Sequence, residues 1–155
     1  MVLNDHVFEA SRVRTISASS QAIWDVLADF GALSSWVDGV DHSSVLNDGP
    51  GGTLLGTSRR VQVGRNVLVE RITEAEPPVR LCYEITGLPK QLRYVANRWT
   101  LRPAGDATLV RVTSIVEIGA NPLSRIAERL VCRLATKQSD AMLTGLTRRM
   151  ESAHA

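Results

Sequence analysis

The final third of the chain has the apolar periodicity of one long helix. Its apolar residues recur at intervals of three and four, which is the spacing of a helix with one buried face: Leu123, Ile126, Ala127, Leu130, Leu134, Ala141, Leu143 and Leu146. Asn121 and Pro122 precede them, and these residue types favour the N-cap and the first helical turn. A helix from 121 to about 151 would be roughly 45 Å long at 1.5 Å per residue. We therefore expect it to lie across a whole sheet.

Basic residues repeat every four positions on another face of this helix, at Arg125, Arg129, Arg133 and Lys137. Such a stripe is typical of a solvated helix face. The alternative is a patch for an anionic membrane or protein partner, since basic amphipathic helices can lie on such surfaces.

Short runs of strand length fill most of the chain before the helix: 7–16, 41–47, 54–63, 66–74, 80–86, 92–102 and 108–118. The segments between the last six are short and rich in Gly, Pro, Asn and Asp, which are turn residues. Short connections favour antiparallel hairpins, because parallel neighbours need a crossover of a dozen residues or more. Between the first two runs, AIWDVLADF (22–30) predicts a helix and LSSWV (33–37) a second, short one. The sequence therefore predicts an α+β fold.

Several strand runs alternate apolar and polar residues, as expected for a sheet with one face under a helix. Runs 80–86 and 108–118 show this clearly. In run 94–102 the alternation places Asn97 on the apolar side. The pattern leaves open which face is occupied by Arg59, Arg60 and Arg71.

Composition limits the classes of function. At 155 residues we expect a single domain over 1–155. A formal charge of +2 argues against nucleic-acid binding. No apolar run is long enough for a membrane span, and polar residues near the start break any signal peptide, so we expect a cytoplasmic protein. Cys82 and Cys132 lie fifty residues apart and are interpreted as reduced thiols.

The reactive residues give little sign of a catalytic centre. There are three histidines, and only His42 lies in a predicted strand away from the termini. A His-based catalytic triad would have to use His42, and the sequence identifies no nucleophile to go with it. Neither HExxH nor CxxC occurs, so no metal site is predicted. Glycines 49, 51, 52 and 56 favour a hairpin loop over a phosphate loop, because no strand-to-helix context surrounds them.

Five segments in this order resemble the polyketide cyclase/dehydrase and lipid-transport family of the START-like, Bet v 1-like superfamily: AIWDVLADF, LSSWVDGV, DGPGGTLLGTSRRV, VERITEAEPPVRLCYEI and YVANRWTLRPAGDATLVRVT. The resemblance covers nearly the whole chain. It implies a helix-grip fold, in which a curved antiparallel sheet of about seven strands wraps around a long C-terminal helix. It also implies a cavity between sheet and helix for a hydrophobic small molecule, and no cofactor.

The predicted lining of this cavity combines aromatic, polar and aliphatic side chains: Trp36, Arg59, Tyr83, Asn97, Trp99, Leu130, Leu134 and Ala141. For the aromatic residues the alternative is a place in the core. A buried Asn97 needs a partner, which is either a neighbouring protein group or a ligand oxygen. If the Arg59 side chain points inward, its guanidinium could bind a carbonyl or a carboxylate of the ligand. The alternative is that Arg59 is exposed on its strand. Small residues at Ala127, Ala141 and Gly145 are expected to leave a pocket of roughly 300 to 1,000 Å³.

Three classes of function remain open on the sequence. The first is binding or transport of a hydrophobic or amphipathic molecule, lipid or polyketide-like. The second is a polyketide cyclase or dehydratase that uses the same cavity by positioning its substrate. The third is a protein-interaction module. We expect a monomer or a weak homodimer.

Overall fold

Seven antiparallel strands form one sheet in the computed structural model, which describes residues 6–119 and 124–152. The strands are β1 (His6–Ile16), β2 (His42–Asn47), β3 (Ser58–Val63), β4 (Asn66–Glu76), β5 (Arg80–Thr86), β6 (Leu92–Ala104) and β7 (Ala107–Ile118). Their order across the sheet is β1-β7-β6-β5-β4-β3-β2. Consecutive strands from β2 to β7 are therefore neighbours, and β1 closes on β7. The predicted antiparallel arrangement is confirmed.

Tight turns connect the strands where the sequence places glycine. β3 and β4 are joined at Gly64, and β6 and β7 at Gly105; both glycines have positive φ, 59° and 63°. Short hairpin loops require this conformation, which costs a glycine little.

Two short helices follow β1. α1 (Ser20–Ala28) begins after Ser19, whose hydroxyl accepts a hydrogen bond of 3.1 Å from the amide of Ala22. A 3₁₀ helix, η1 (Phe30–Ser35), begins directly after the C-cap residue of α1, Asp29. The second helix was predicted at 33–37, so its existence is confirmed while its bounds differ.

One strand begins later than the sequence predicts. The run 54–63 becomes β3 only from Ser58, because the preceding glycine-rich segment folds on itself around the short 3₁₀ helix Pro50–Gly52. The amide of Gly49 donates to the carbonyl of Thr53 and to the Thr57 hydroxyl. This segment is a loop between β2 and β3, as predicted for its glycines.

The long helix is confirmed as one continuous element, α2 (Ser124–Ser152). Its predicted start at Asn121 and Pro122 lies outside the described residues. Among the described helices, none is both long and apolar enough to cross a membrane.

The prediction that all apolar residues of α2 share one buried face is wrong. The C-terminal half does bury Met142, Leu143, Leu146 and Met150. In the N-terminal half, however, Ile126, Leu130 and Leu134 are 71%, 58% and 59% exposed. Residues four apart advance by about 40° beyond a full turn, since each residue turns about 100°. Over several turns this drift carries them to a different face from Leu146.

The sheet is curved, and its concave face carries the core. α2 crosses this face over β1 and β7. The Arg14 guanidinium donates to the Thr144 hydroxyl at 3.1 Å, and Arg12 lies 3.4 Å from Asp140. η1 covers the opposite end of the face, beside β2 and β3. The predicted helix-grip architecture is therefore confirmed.

Candidate ligand-binding site

The strand register aligns inward side chains in rows across the concave face. One row, which we call the polar row, joins Tyr83 of β5, Asn97 of β6 and Ser114 of β7. The next row towards the β6 start joins Val95, Val116 and Phe8, and Ile85, two residues after Tyr83, lies on the same face of β5; we call these four residues the apolar row. The site is built from these two rows and from the groups at their β3–β4 end.

The polar row is a connected chain of hydrogen bonds. The Ser114 hydroxyl donates to the Asn97 amide oxygen at 2.9 Å, and the Asn97 amide nitrogen donates to the Tyr83 hydroxyl at 3.3 Å. The indole nitrogen of Trp99 donates to the same hydroxyl at 3.3 Å. Tyr83 in turn donates to the Met142 sulfur of α2 at 3.9 Å. Asn97 is thus inward and buried, as predicted, and its partners in the protein are two hydroxyls.

Burial raises the pKa of the Tyr83 phenol, and the nearby Glu70 carboxylate raises it further. Both effects disfavour the phenolate, one by removing solvent and the other by repulsion. Tyr83 therefore stays protonated near neutral pH. It can donate a hydrogen bond, but it cannot serve there as a base.

A buried ion pair closes the β3–β4 end of the apolar row, because Glu70 lies opposite Ile85 in the β4–β5 register. Arg59 and Glu70 face each other in the β3–β4 register, and both are almost fully buried, at 3% and 5% exposure. The Arg59 guanidinium lies 2.7 Å from one Glu70 oxygen and donates to the Phe30 carbonyl at 2.9 Å. Its carbon lies 3.8 Å from the Phe30 ring centroid and 4.8 Å from that of Tyr83. Arg59 is therefore inward, but its charge is already balanced.

The other two uncertain arginines are also placed. Arg71 points to the outer face and pairs with Glu84 at 3.0 Å. Arg60 is half-buried and contacts the Gln62 side chain.

Four predicted lining residues meet around a very small internal space. Trp36, Arg59, Tyr83 and Trp99, with Leu27, Leu33 and Leu81, enclose about 10 Å³. The rings of Trp36 and Trp99 meet edge to face with centroids 6.3 Å apart. The Trp36 indole nitrogen is buried without a hydrogen-bond partner among the described residues. A space of this size fits about one water molecule, so these residues form the closed inner end of the site.

The apolar row is less completely covered. Ile85, Val95 and Phe8 are half-buried, as is Leu68 beside them on β4, whereas Val116 in the middle of the row is buried. An apolar surface of this kind, left open next to a buried polar row, suits one end of an amphipathic molecule.

The predicted lining residues of α2 are not brought to this inner end. Leu130 and Leu134 are largely exposed, and Ala141 is half-buried. Gly145 leaves no open space either, because a Cβ built there would lie 1.9 Å from the Trp36 carbonyl oxygen. Its small size allows α2 to approach the chain that follows η1. Ala127 was also expected to line the predicted pocket of roughly 300 to 1,000 Å³, and its side chain lies outside the described residues. The pocket therefore stays a prediction.

Sequence reasoning missed Glu70, Ser114 and the apolar row. Ser114 could have been found, because it shares the alternation of Val110, Val112 and Val116. Glu70 could not, because the alternation of β4 is ambiguous. Leu68 and Ile72 share the face of Glu70, but Val67 and Val69 place apolar residues on the other face as well.

In the part of the chain that the structure describes, no three His, Cys, Asp or Glu side chains are grouped so that they could hold a metal ion. Cys82 and Cys132 are both free.

Comparison with known proteins agrees with this architecture. The family model described as polyketide cyclase/dehydrase and lipid transport matches residues 7–151. No curated protein matches the chain. Among solved structures, a START superfamily protein from Mycobacterium smegmatis is 19% identical with a TM-score of 0.77, covering 94% of this chain and 98% of its own.

Two enzymes have the same fold. The Zhui aromatase/cyclase from a Streptomyces species is 16% identical with a TM-score of 0.81, and 97% of each chain is covered. A point mutant of norcoclaurine synthase from Thalictrum flavum, in complex with a transition-state analogue, is 15% identical with a TM-score of 0.76. That match covers 99% of this chain and 100% of the synthase. The sequence resemblance to the family and its fold is thereby confirmed.

Proposed function

Because this chain belongs to the polyketide cyclase/dehydrase and lipid transport family, we propose that it binds a hydrophobic or amphipathic small molecule on the concave face of the sheet. The molecule would lie on the apolar row, under the N-terminal half of α2. The observation that carries this proposal is the incomplete burial of Ile85, Val95 and Phe8 directly beside a fully buried polar row.

Energetics favour a ligand on this surface. Covering half-buried aliphatic side chains releases about 25 cal/mol per Å² of apolar area, before the cost of ordering the ligand is subtracted. The sheet holds these side chains in fixed rows, so little conformational entropy is lost on binding.

Polar recognition would come from Asn97. Its amide nitrogen carries two hydrogens, and one of them is directed to Tyr83. The second can bond a ligand carbonyl or hydroxyl at the border between the two rows. Ser114 fixes the orientation of this amide by donating to its oxygen.

Cyclisation of a polyketide-like substrate is the second candidate. The close fold match to an aromatase/cyclase favours it, as does a buried phenol that remains an acid near neutral pH. Tyr83 would then turn its hydroxyl hydrogen from the Met142 sulfur to an enolate oxygen, while the rows hold the chain in a folded shape. Incubation with a synthetic 1,3,5-triketone tests this candidate. Wild type is expected to change the ratio of cyclised products, and Tyr83→Phe to return it to the uncatalysed ratio.

Binding is tested with a dansyl-labelled fatty acid whose fluorescence rises in apolar surroundings. Wild type is expected to bind it, and Ile85→Trp, which fills the apolar row, to weaken binding at least tenfold. Thr86→Trp is the matched control, because it adds the same ring one residue later, at an exposed position on the outer face. If the folded wild type binds no apolar probe, or both variants bind equally, the proposal is wrong and a protein-interaction role becomes the better account.

A further inference from the structure

The N-terminal half of α2 presents an aliphatic stripe that the fold leaves uncovered. Ile126, Leu130 and Leu134 lie four residues apart, and each is more than half exposed. Large aliphatic side chains exposed singly are common on protein surfaces, but three in line over about two helical turns form a continuous patch. Neither the core nor the proposed ligand site accounts for this stripe.

A row of cations runs alongside the aliphatic stripe. Arg129, Arg133 and Lys137 are all exposed, and helical geometry places them about 60° around the helix from the stripe. We call these three residues the basic row. Among the described residues no carboxylate lies within ion-pair distance of any of them. Their charge is thus available to an anionic partner.

A surface cleft extends the positive charge from α2 to β1. It has a volume of about 400 Å³ and is lined by Arg12, Cys132, Arg133, Thr136, Lys137 and Asp140. The lining therefore contains three cations, Arg12, Arg133 and Lys137, and one carboxylate, Asp140. Asp140 lies 3.4 Å from Arg12. A phosphate-containing head group fits the charge and the size of this cleft, and the Thr136 hydroxyl offers a further donor.

We propose that this half of α2 docks on an anionic lipid bilayer, with the aliphatic stripe inserted among the acyl chains and the basic row at the phosphates. Helices that lie in a membrane interface combine these two features. A second copy of the chain is disfavoured as the occupant, because pairing two such helices would bring their basic rows together. The proposal does not depend on the ligand site of the concave face.

Co-sedimentation with vesicles tests the docking. Wild type is expected to bind vesicles of phosphatidylcholine with phosphatidylglycerol, to bind pure phosphatidylcholine much more weakly, and to be released by salt. Replacing Arg129, Arg133 and Lys137 by Gln is expected to lower the partition coefficient about a hundredfold, at about fivefold for each cation near the surface. The matched control replaces Arg65, Arg102 and Arg111 by Gln, which removes the same charge from exposed positions elsewhere.

Insertion is tested separately from attraction. Leu130→Ser with Leu134→Ser is expected to weaken binding at least tenfold, since each leucine loses apolar area that the bilayer would cover. Leu46→Ser with Leu55→Ser, at similarly exposed leucines outside α2, is expected to bind like wild type. All of these positions are exposed, so circular dichroism should show unchanged folds. Absence of binding to the anionic vesicles, equal binding to neutral ones, or unchanged binding by the α2 leucine variant would each overturn the proposal.

Discussion

Breaking the buried ion pair between Arg59 and Glu70 should destabilise the protein far more than breaking an exposed pair. Both side chains are nearly inaccessible to solvent, and guanidinium and carboxylate lie 2.7 Å apart. At an effective dielectric constant of 20, two unit charges at this distance attract by about 6 kcal/mol, which offsets their desolvation. Removing one partner leaves the other buried without a counter-charge, at a cost of about 3–5 kcal/mol.

A double-mutant cycle measures this coupling. We expect Arg59→Met and Glu70→Leu each to lower the free energy of unfolding by about 3–5 kcal/mol. The double variant should cost clearly less than their sum, because it leaves no unpaired charge. Urea unfolding can be followed by tryptophan fluorescence, since Trp24, Trp36 and Trp99 are all buried. If a single variant does not fold, the double variant should still do so.

The exposed pair of Arg71 and Glu84 provides the matched control. It lies on the outer face of the same sheet, at 3.0 Å, with 57% and 29% of the two side chains exposed. The same cycle there should give a coupling of about 0–1 kcal/mol. Equal couplings at the two pairs, or single variants of the buried pair that cost less than about 1 kcal/mol, would refute the reasoning.

Three further predictions follow from local packing and solvation. Gly145→Ala should destabilise the protein by about 1–3 kcal/mol in urea unfolding, although alanine normally stabilises a helix, because its Cβ would overlap the Trp36 carbonyl; a stabilised variant would contradict this. Burial and the Glu74 carboxylate raise the pKa of Cys82 to about 11, so its alkylation by iodoacetamide at pH 8 should be about 20-fold slower than that of a free cysteine. Peptide mass spectrometry can follow this, and Glu74→Gln should accelerate the reaction; an unchanged rate would exclude the carboxylate as a cause. Ser19→Ala should lower the free energy of unfolding by about 1 kcal/mol, because α1 loses its N-terminal cap, and a thermal melt identical to wild type would be inconsistent with that bond.

The sequence predicted the fold well because the fold depends on local signals. Each hairpin contains residues that favour a turn, as at Gly64 and Gly105. The alternation of apolar and polar residues along a strand indicates which of its faces is buried. Asn97 was predicted to be inward for the same reason. These signals act within a few residues, so one sequence is sufficient to detect them.

The site was predicted less completely because it depends on how strands are aligned. Glu70 meets Arg59 through the β3–β4 register, and apolar residues on both alternations of β4 conceal that Glu70 lies on the inward face with Leu68 and Ile72. Helical drift likewise separates Leu130 and Leu134 from the buried face of α2, which spacing by three and four does not reveal. Gly145 was interpreted as open space because the approach of the Trp36 carbonyl is a long-range contact.

Methyl NMR of the protein with a bound fatty acid tests the proposed ligand site most directly. With ¹³C-labelled Ile, Leu and Val methyl groups and saturating myristate, we predict intermolecular NOEs from the acyl chain to Ile85, Val95 and Leu68. No NOEs are expected to Val7 and Val13, which are exposed on the outer face of β1. NOEs confined to the outer face, or none at all with saturating myristate, would contradict binding on the concave face.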